Sequence, residues 1–69
     1  MNLYDNAMYQ ALKAHYEAER KKAYANMQVF MNSPMGVAEH PDILETMLTH
    51  AEKLAHAEDV LRSLEKNFE

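Results

Sequence analysis

The stretch Asn32-Ser33-Pro34-Met35-Gly36-Val37-Ala38-Glu39-His40-Pro41-Asp42 decides the fold. It carries the only glycine and both prolines of a 69-residue chain and lies near its midpoint. Proline has no backbone N–H and clashes with the preceding helical turn, glycine tolerates the angles of a tight turn, and residues before proline are pushed out of the α region. These properties predict a turn over residues 33–40, with Pro34, Gly36, His40, Pro41 and Asp42 as its defining residues. Pro41 suits the first position of a second helix, and Asp42 and Glu45 place negative charge in the first turn of that helix.

On the N-terminal side, residues 3–32 contain no proline or glycine and are dominated by good helix formers, which predicts a first helix. Asn2 is its expected N-cap, with Asp5 in the first turn. Two columns recur at seven-residue spacing, Tyr4, Ala11, Ala18 and Ala25, and Tyr9, Tyr16, Ala23 and Phe30. The alanine column suits close approach of a partner helix. The aromatic column then offers apolar area to a second neighbour, a reading favoured over the plainer one in which it shields the edge of a single hairpin core.

On the C-terminal side, residues 41–67 are expected to form the second helix, whose apolar residues recur alternately four and three apart: Ile43, Met47, His50, Leu54, Ala57, Leu61, Leu64 and Phe68. That is a heptad seam. Leu44, Leu48, Ala51 and Ala55 run beside it and widen the stripe toward a bundle face. Folding back at the bend would set Ala18 against Leu54 and Ala55, Ala25 against Leu48, Val29 against Leu44 and Met8 against Leu64. A swapped arrangement, with two chains exchanging helices, satisfies the same pattern.

The expected fold is thus all-α, one antiparallel hairpin of two long helices spanning residues 1–69, dimerising into a four-helix bundle. Dimerisation is expected because a chain this short buries a limited core, and with no cysteine no disulfide supplements it. Tyr9, Leu12, Tyr16, Phe30, Leu44, Leu48, Ala51 and Ala55 are the expected self-association or partner face.

A net charge of -4 opposes a role in coating nucleic acid or anionic membrane, which needs surplus Lys and Arg. No secretory signal and no apolar run of about 20 residues is seen, so a cytoplasmic protein is expected. The basic run Arg20-Lys21-Lys22 points in three directions and stands beside Glu17 and Glu19, which suits a solvated face better than a phosphate site.

Chemistry is sparse. His15 with Glu19 and Glu52 with His56 are pairs one helical turn apart, a spacing that offers two ligands to a metal. Carboxylate-bridged metal bundles instead use Glu-x-x-His. The expected register sets His15 opposite Glu58 and His50 opposite Ala23, so the histidines do not converge and no metal or cofactor is expected. A hairpin has no pocket of its own, and phosphate loops, nucleophile elbows and cysteine nucleophiles are absent, so no catalytic residue is expected and the chain reads as non-enzymatic.

The string Asn32 to Ile43, followed by Ala51-Glu52-Lys53-Leu54-Ala55-His56-Ala57-Glu58, resembles short uncharacterised helical proteins of large tailed phages infecting marine cyanobacteria. The likeness covers roughly residues 25 to 66 and is most specific at Pro34, Gly36 and Glu39-His40-Pro41-Asp42. It implies a phage-encoded protein made in a bacterial cytoplasm and carries over no active-site residue. The function these residues and this likeness imply is a self-associating interaction module acting on a host protein. The alternatives are a small virion or assembly component and, further off, a metal-binding bundle.

Overall fold

The computed structural model describes residues 2–32 and 42–69. Pro34, Gly36, His40 and Pro41 lie outside them, while Asp42 opens the second helix. Two helices, α1 (Ala7–Met31) and α2 (Asp42–Phe68), pack against each other as an antiparallel hairpin with extents of 50 × 15 × 14 Å. Tyr9 meets Phe68 at one end, Tyr16 meets His56 midway, and Phe30 meets His50 toward the turn, with ring centroids 6.3, 6.1 and 5.8 Å apart.

Helix α1 begins later than its sequence suggests. The cap is Asn6, whose side-chain oxygen accepts from the Tyr9 amide at 3.0 Å, and the first turn holds no acidic residue. Asn2 instead accepts from the Tyr4 amide at 2.8 Å, and Asp5 precedes the cap. The reason lies in α2: the Leu3 amide donates to the Phe68 carbonyl at 2.6 Å, and the Asn6 amide donates back to the Leu3 carbonyl at 2.9 Å. The chain is held across the end of α2 by this turn and becomes helical only beyond it. Asp42 and Glu45 occupy the first turn of α2 and Lys66 its last, each sign complementing the helix dipole.

The α2 seam faces α1 as expected. Ala57 and Leu61 are buried, Ile43, Met47, His50, Leu54 and Leu64 are half-buried, and only Phe68 is more open. The facing column of α1 is the aromatic one. Tyr9 and Ala23 are buried and Tyr16 and Phe30 half-buried, whereas Ala11, Ala18 and Ala25 are exposed on the opposite side of the helix. The expectation that the alanines meet α2 and the aromatics reach outward is thereby reversed. Burying Tyr and Phe rings removes far more apolar area from water than burying methyl groups, so the aromatic column wins the interior.

Small residues still oppose large ones, at different positions. Ala57 lies beside Tyr16 and Ala23 beside His50, so each helix supplies the gap that the other's ring fills. Among the described residues the buried core is Tyr9, Ala23, Ala57 and Leu61, two of them alanines, and no large side chain is completely enclosed.

Candidate functional site

Three features bear on function. The first lies where the two chain ends meet. Tyr9 donates a 2.5 Å hydrogen bond from its hydroxyl to Glu69 Oε2, and Lys13 Nζ approaches the same oxygen at 2.6 Å and Glu65 Oε1 at 3.7 Å. Burial, then the Glu69 hydrogen bond and charge, push the Tyr9 hydroxyl up to about 12. The Lys13 ammonium is raised, chiefly by its hydrogen bond to Glu69. The Glu69 carboxyl is lowered, chiefly by Lys13 and then by Tyr9. The Tyr9 hydroxyl thus stays protonated and donates to Glu69, and the cluster clasps the start of α1 to the residue that follows α2. In sequence its signal is two pairs at helical spacing, Tyr9 with Lys13 and Glu65 with Glu69, at opposite ends of the chain.

The second feature is a cleft of about 450 Å³ midway along the hairpin, lined by His15, Tyr16 and Glu19 from α1 and by Thr49, Glu52, Lys53, His56 and Ala57 from α2. Both His/Glu pairs thus come to one place, contrary to the expected pairing of His15 with Glu58. Tyr16 stands between the two imidazoles, 5.0 Å from His15 and 6.1 Å from His56 by ring centroids. Glu58 lies on the other side of the hairpin with Glu17 and Arg20. His50 does face Ala23, as expected. Lys53 adds a positive charge to the cleft, and among the described residues no three His, Cys, Asp or Glu side chains are grouped to hold a metal ion.

The third feature is apolar surface. Leu12, Leu44, Leu48, Ala51 and Ala55 of the expected partner face are all exposed, whereas Tyr9, Tyr16 and Phe30 of that set belong to the hairpin interior, where their rings bury the most area. Other apolar residues are open as well: Met8 is 82% exposed, and Tyr4, Tyr24, Val29 and Met31 are more than half exposed. Met8 and Leu12 border a groove of about 390 Å³ with Leu3, Asn6, Tyr9, Leu64 and Phe68. Met8 and Leu64, paired in the expected register, both line that groove. Val29 and Leu44, also paired in that register, are both open to solvent.

No family model, curated protein or solved structure matches the chain. The surface itself therefore has to carry the functional reading.

The basic run does not form one patch. Arg20 is half-buried in a cleft with Glu17, Glu58, Arg62 and Glu65, while Lys21 and Lys22 are exposed. No described helix is long and apolar enough to cross a membrane.

Proposed function

We propose that this chain is a non-enzymatic, self-associating protein–protein interaction module whose working form is a four-helix bundle of two hairpins. The observation that supports this reading is the α2 stripe Leu44, Leu48, Ala51 and Ala55, which stays exposed after the hairpin has closed. Among the described residues a core of two alanines, one tyrosine and one leucine is thin for a domain this small, and association is the usual remedy. Sedimentation equilibrium at micromolar concentration tests it: a dimer is expected, and a stably folded monomer would overturn it.

The resemblance to cyanophage proteins extends the proposal to a phage-encoded effector that engages a host protein through a face left free by dimerisation. The competing role is a small virion or assembly component. Mass spectrometry of purified particles separates the two, because an effector is absent from the virion and a component is present in stoichiometric amount.

A further inference from the structure

The interface of that dimer can be read from how apolar and charged residues divide one broad side of the hairpin. On α1, Glu17, Tyr24 and Met31 are spaced by seven and share a column, as do Leu44, Ala51, Glu58 and Glu65 on α2. Clefts on this side join the two columns. One of about 380 Å³ toward the turn is lined mainly by Tyr24, Met27, Met31 and Leu54, with the uncharged Gln28 and Asn32, and another of about 380 Å³ toward the chain ends is lined by Glu17, Arg20, Glu58, Arg62 and Glu65 over the buried Leu61. The same side is therefore apolar in its turn-proximal half and charged, with both signs, in its other half.

The opposite side is divided differently. From α2 it presents Thr49, Glu52, Lys53 and His56, so the exposed apolar stripe of α2 is not on it. A face 50 Å long and 14 Å wide amounts to about 700 Å², close to the roughly 800 Å² per partner of a stable interface. The apolar half alone is too small. The charged half must be covered as well, which constrains both the partner and its direction.

We infer that this side docks against the same side of a second copy, with both turns at the same end and the twofold axis running along the bundle. This inference rests on the proposed self-association and specifies its surface. In this direction each α1 lies over the copy's α2, so Tyr24 and Met31 meet the copy's Leu48 and Leu44, Arg20 meets the copy's Glu58, and Arg62, paired within its own helix with Asp59 at 2.8 Å, meets the copy's Glu17. Opposite charges across the axis suit self-pairing. Turning one copy end over end sets Arg and Glu side chains against Tyr24, Met31 and Leu48, burying charges without partners, which is costly. A second copy is the occupant that supplies the same split of apolar and charged halves at matching height.

Single cysteines in this cysteine-free chain read the geometry directly. Leu44 and Arg62 share one stripe of α2 but stand five turns apart, about 27 Å. With a short thiol–thiol cross-linker, a mixture of Met31→Cys and Leu44→Cys chains is expected to give a mixed product, because each α2 lies over the copy's α1, and a mixture of Leu44→Cys and Arg62→Cys to give none above background. A mixed product of Leu44→Cys with Arg62→Cys overturns the direction. Self-linking of Met8→Cys, on the opposite side, or no linking of Met31→Cys with Leu44→Cys in a protein that sediments as a dimer, overturns the face while leaving self-association intact. A monomer overturns both. Far-UV circular dichroism confirms that each variant keeps its helices.

Discussion

The Tyr9 hydroxyl and the Glu69 carboxylate are joined by a 2.5 Å hydrogen bond that closes the hairpin at its open end. Lys13 shares the same oxygen, so one carboxylate ties together two turns of α1 and the residue following α2. The bond predicts pH dependence at both extremes. The folded-state pKa of Glu69 lies below its ordinary 4.5, so its contribution to stability is complete above that value and is lost as pH falls through the depressed folded value. Thermal melts of Glu69→Gln are expected to lose this acid dependence and to start from a lower melting temperature near neutrality.

At the alkaline end the sign reverses. The Tyr9 hydroxyl is raised from 10.0 to about 12, so its contribution is complete below pH 10 and disappears as pH rises through about 12, where a phenolate would face the Glu69 carboxylate. Tyr9→Phe removes that arm. Its melting temperature should be lower than that of the parent at pH 8 and fall less between pH 9 and about 12. Lys13, also raised, leaves a residual alkaline decline in the variant.

His50 carries an avoidable burden in the seam. Its Nδ1 is buried without a hydrogen-bond partner among the described residues, beside the Phe30 ring. A buried polar atom left unpaired costs about 1 kcal/mol or more. His50→Leu restores an aliphatic residue to a seam of aliphatic residues and is expected to raise stability by about 1 kcal/mol. Urea denaturation checks this, and a lower midpoint would show that the imidazole has a favourable role.

The two buried alanines set how closely the helices approach. Ala57 is 1% and Ala23 3% exposed, each beside an aromatic ring of the other helix. Ala57→Leu is expected to destabilise the hairpin by about 1–3 kcal/mol through overpacking. Ala18→Leu, on the exposed column, should stay within about 0.5 kcal/mol of the parent. If Ala18→Leu proved as costly as Ala57→Leu, the alanine column and not the aromatic one would face inward.

The helix start can be tested in the same way. Asn6→Ala removes the cap that accepts from the Tyr9 amide and should cost about 1 kcal/mol. Asn2→Ala, which removes only the bond to the Tyr4 amide in the preceding turn, should cost less. Chemical denaturation of the pair gives the order directly.

For the candidate site, Leu44, Leu48, Ala51 and Ala55 were legible from their spacing beside the seam. Met8 was not, because an apolar residue on α1 does not announce which side of the helix will be covered, and for the same reason the Met- and aromatic-rich run Tyr24 to Met31 reads first as core near the bend and only second as an adaptable surface. The convergence of His15, Glu19, Glu52 and His56 was also hidden. Each pair is visible within its own helix, but their meeting depends on register.

The sequence by itself determined that two helices form, that they are separated by the proline- and glycine-bearing segment, and that Ile43 to Phe68 supply the inward seam of α2. Those features are local: helix propensity, the exclusion of proline from helix interiors, and one dominant apolar period. Only the tertiary structure decided which column of α1 turns inward, where α1 begins and how the ends are clasped. Apolar residues surround much of α1, so periodicity alone selects no face. The choice falls to the partner helix, against which the rings of Tyr9, Tyr16 and Phe30 bury more area than the alanines, and which holds Leu3 at Phe68 and Tyr9 at Glu69.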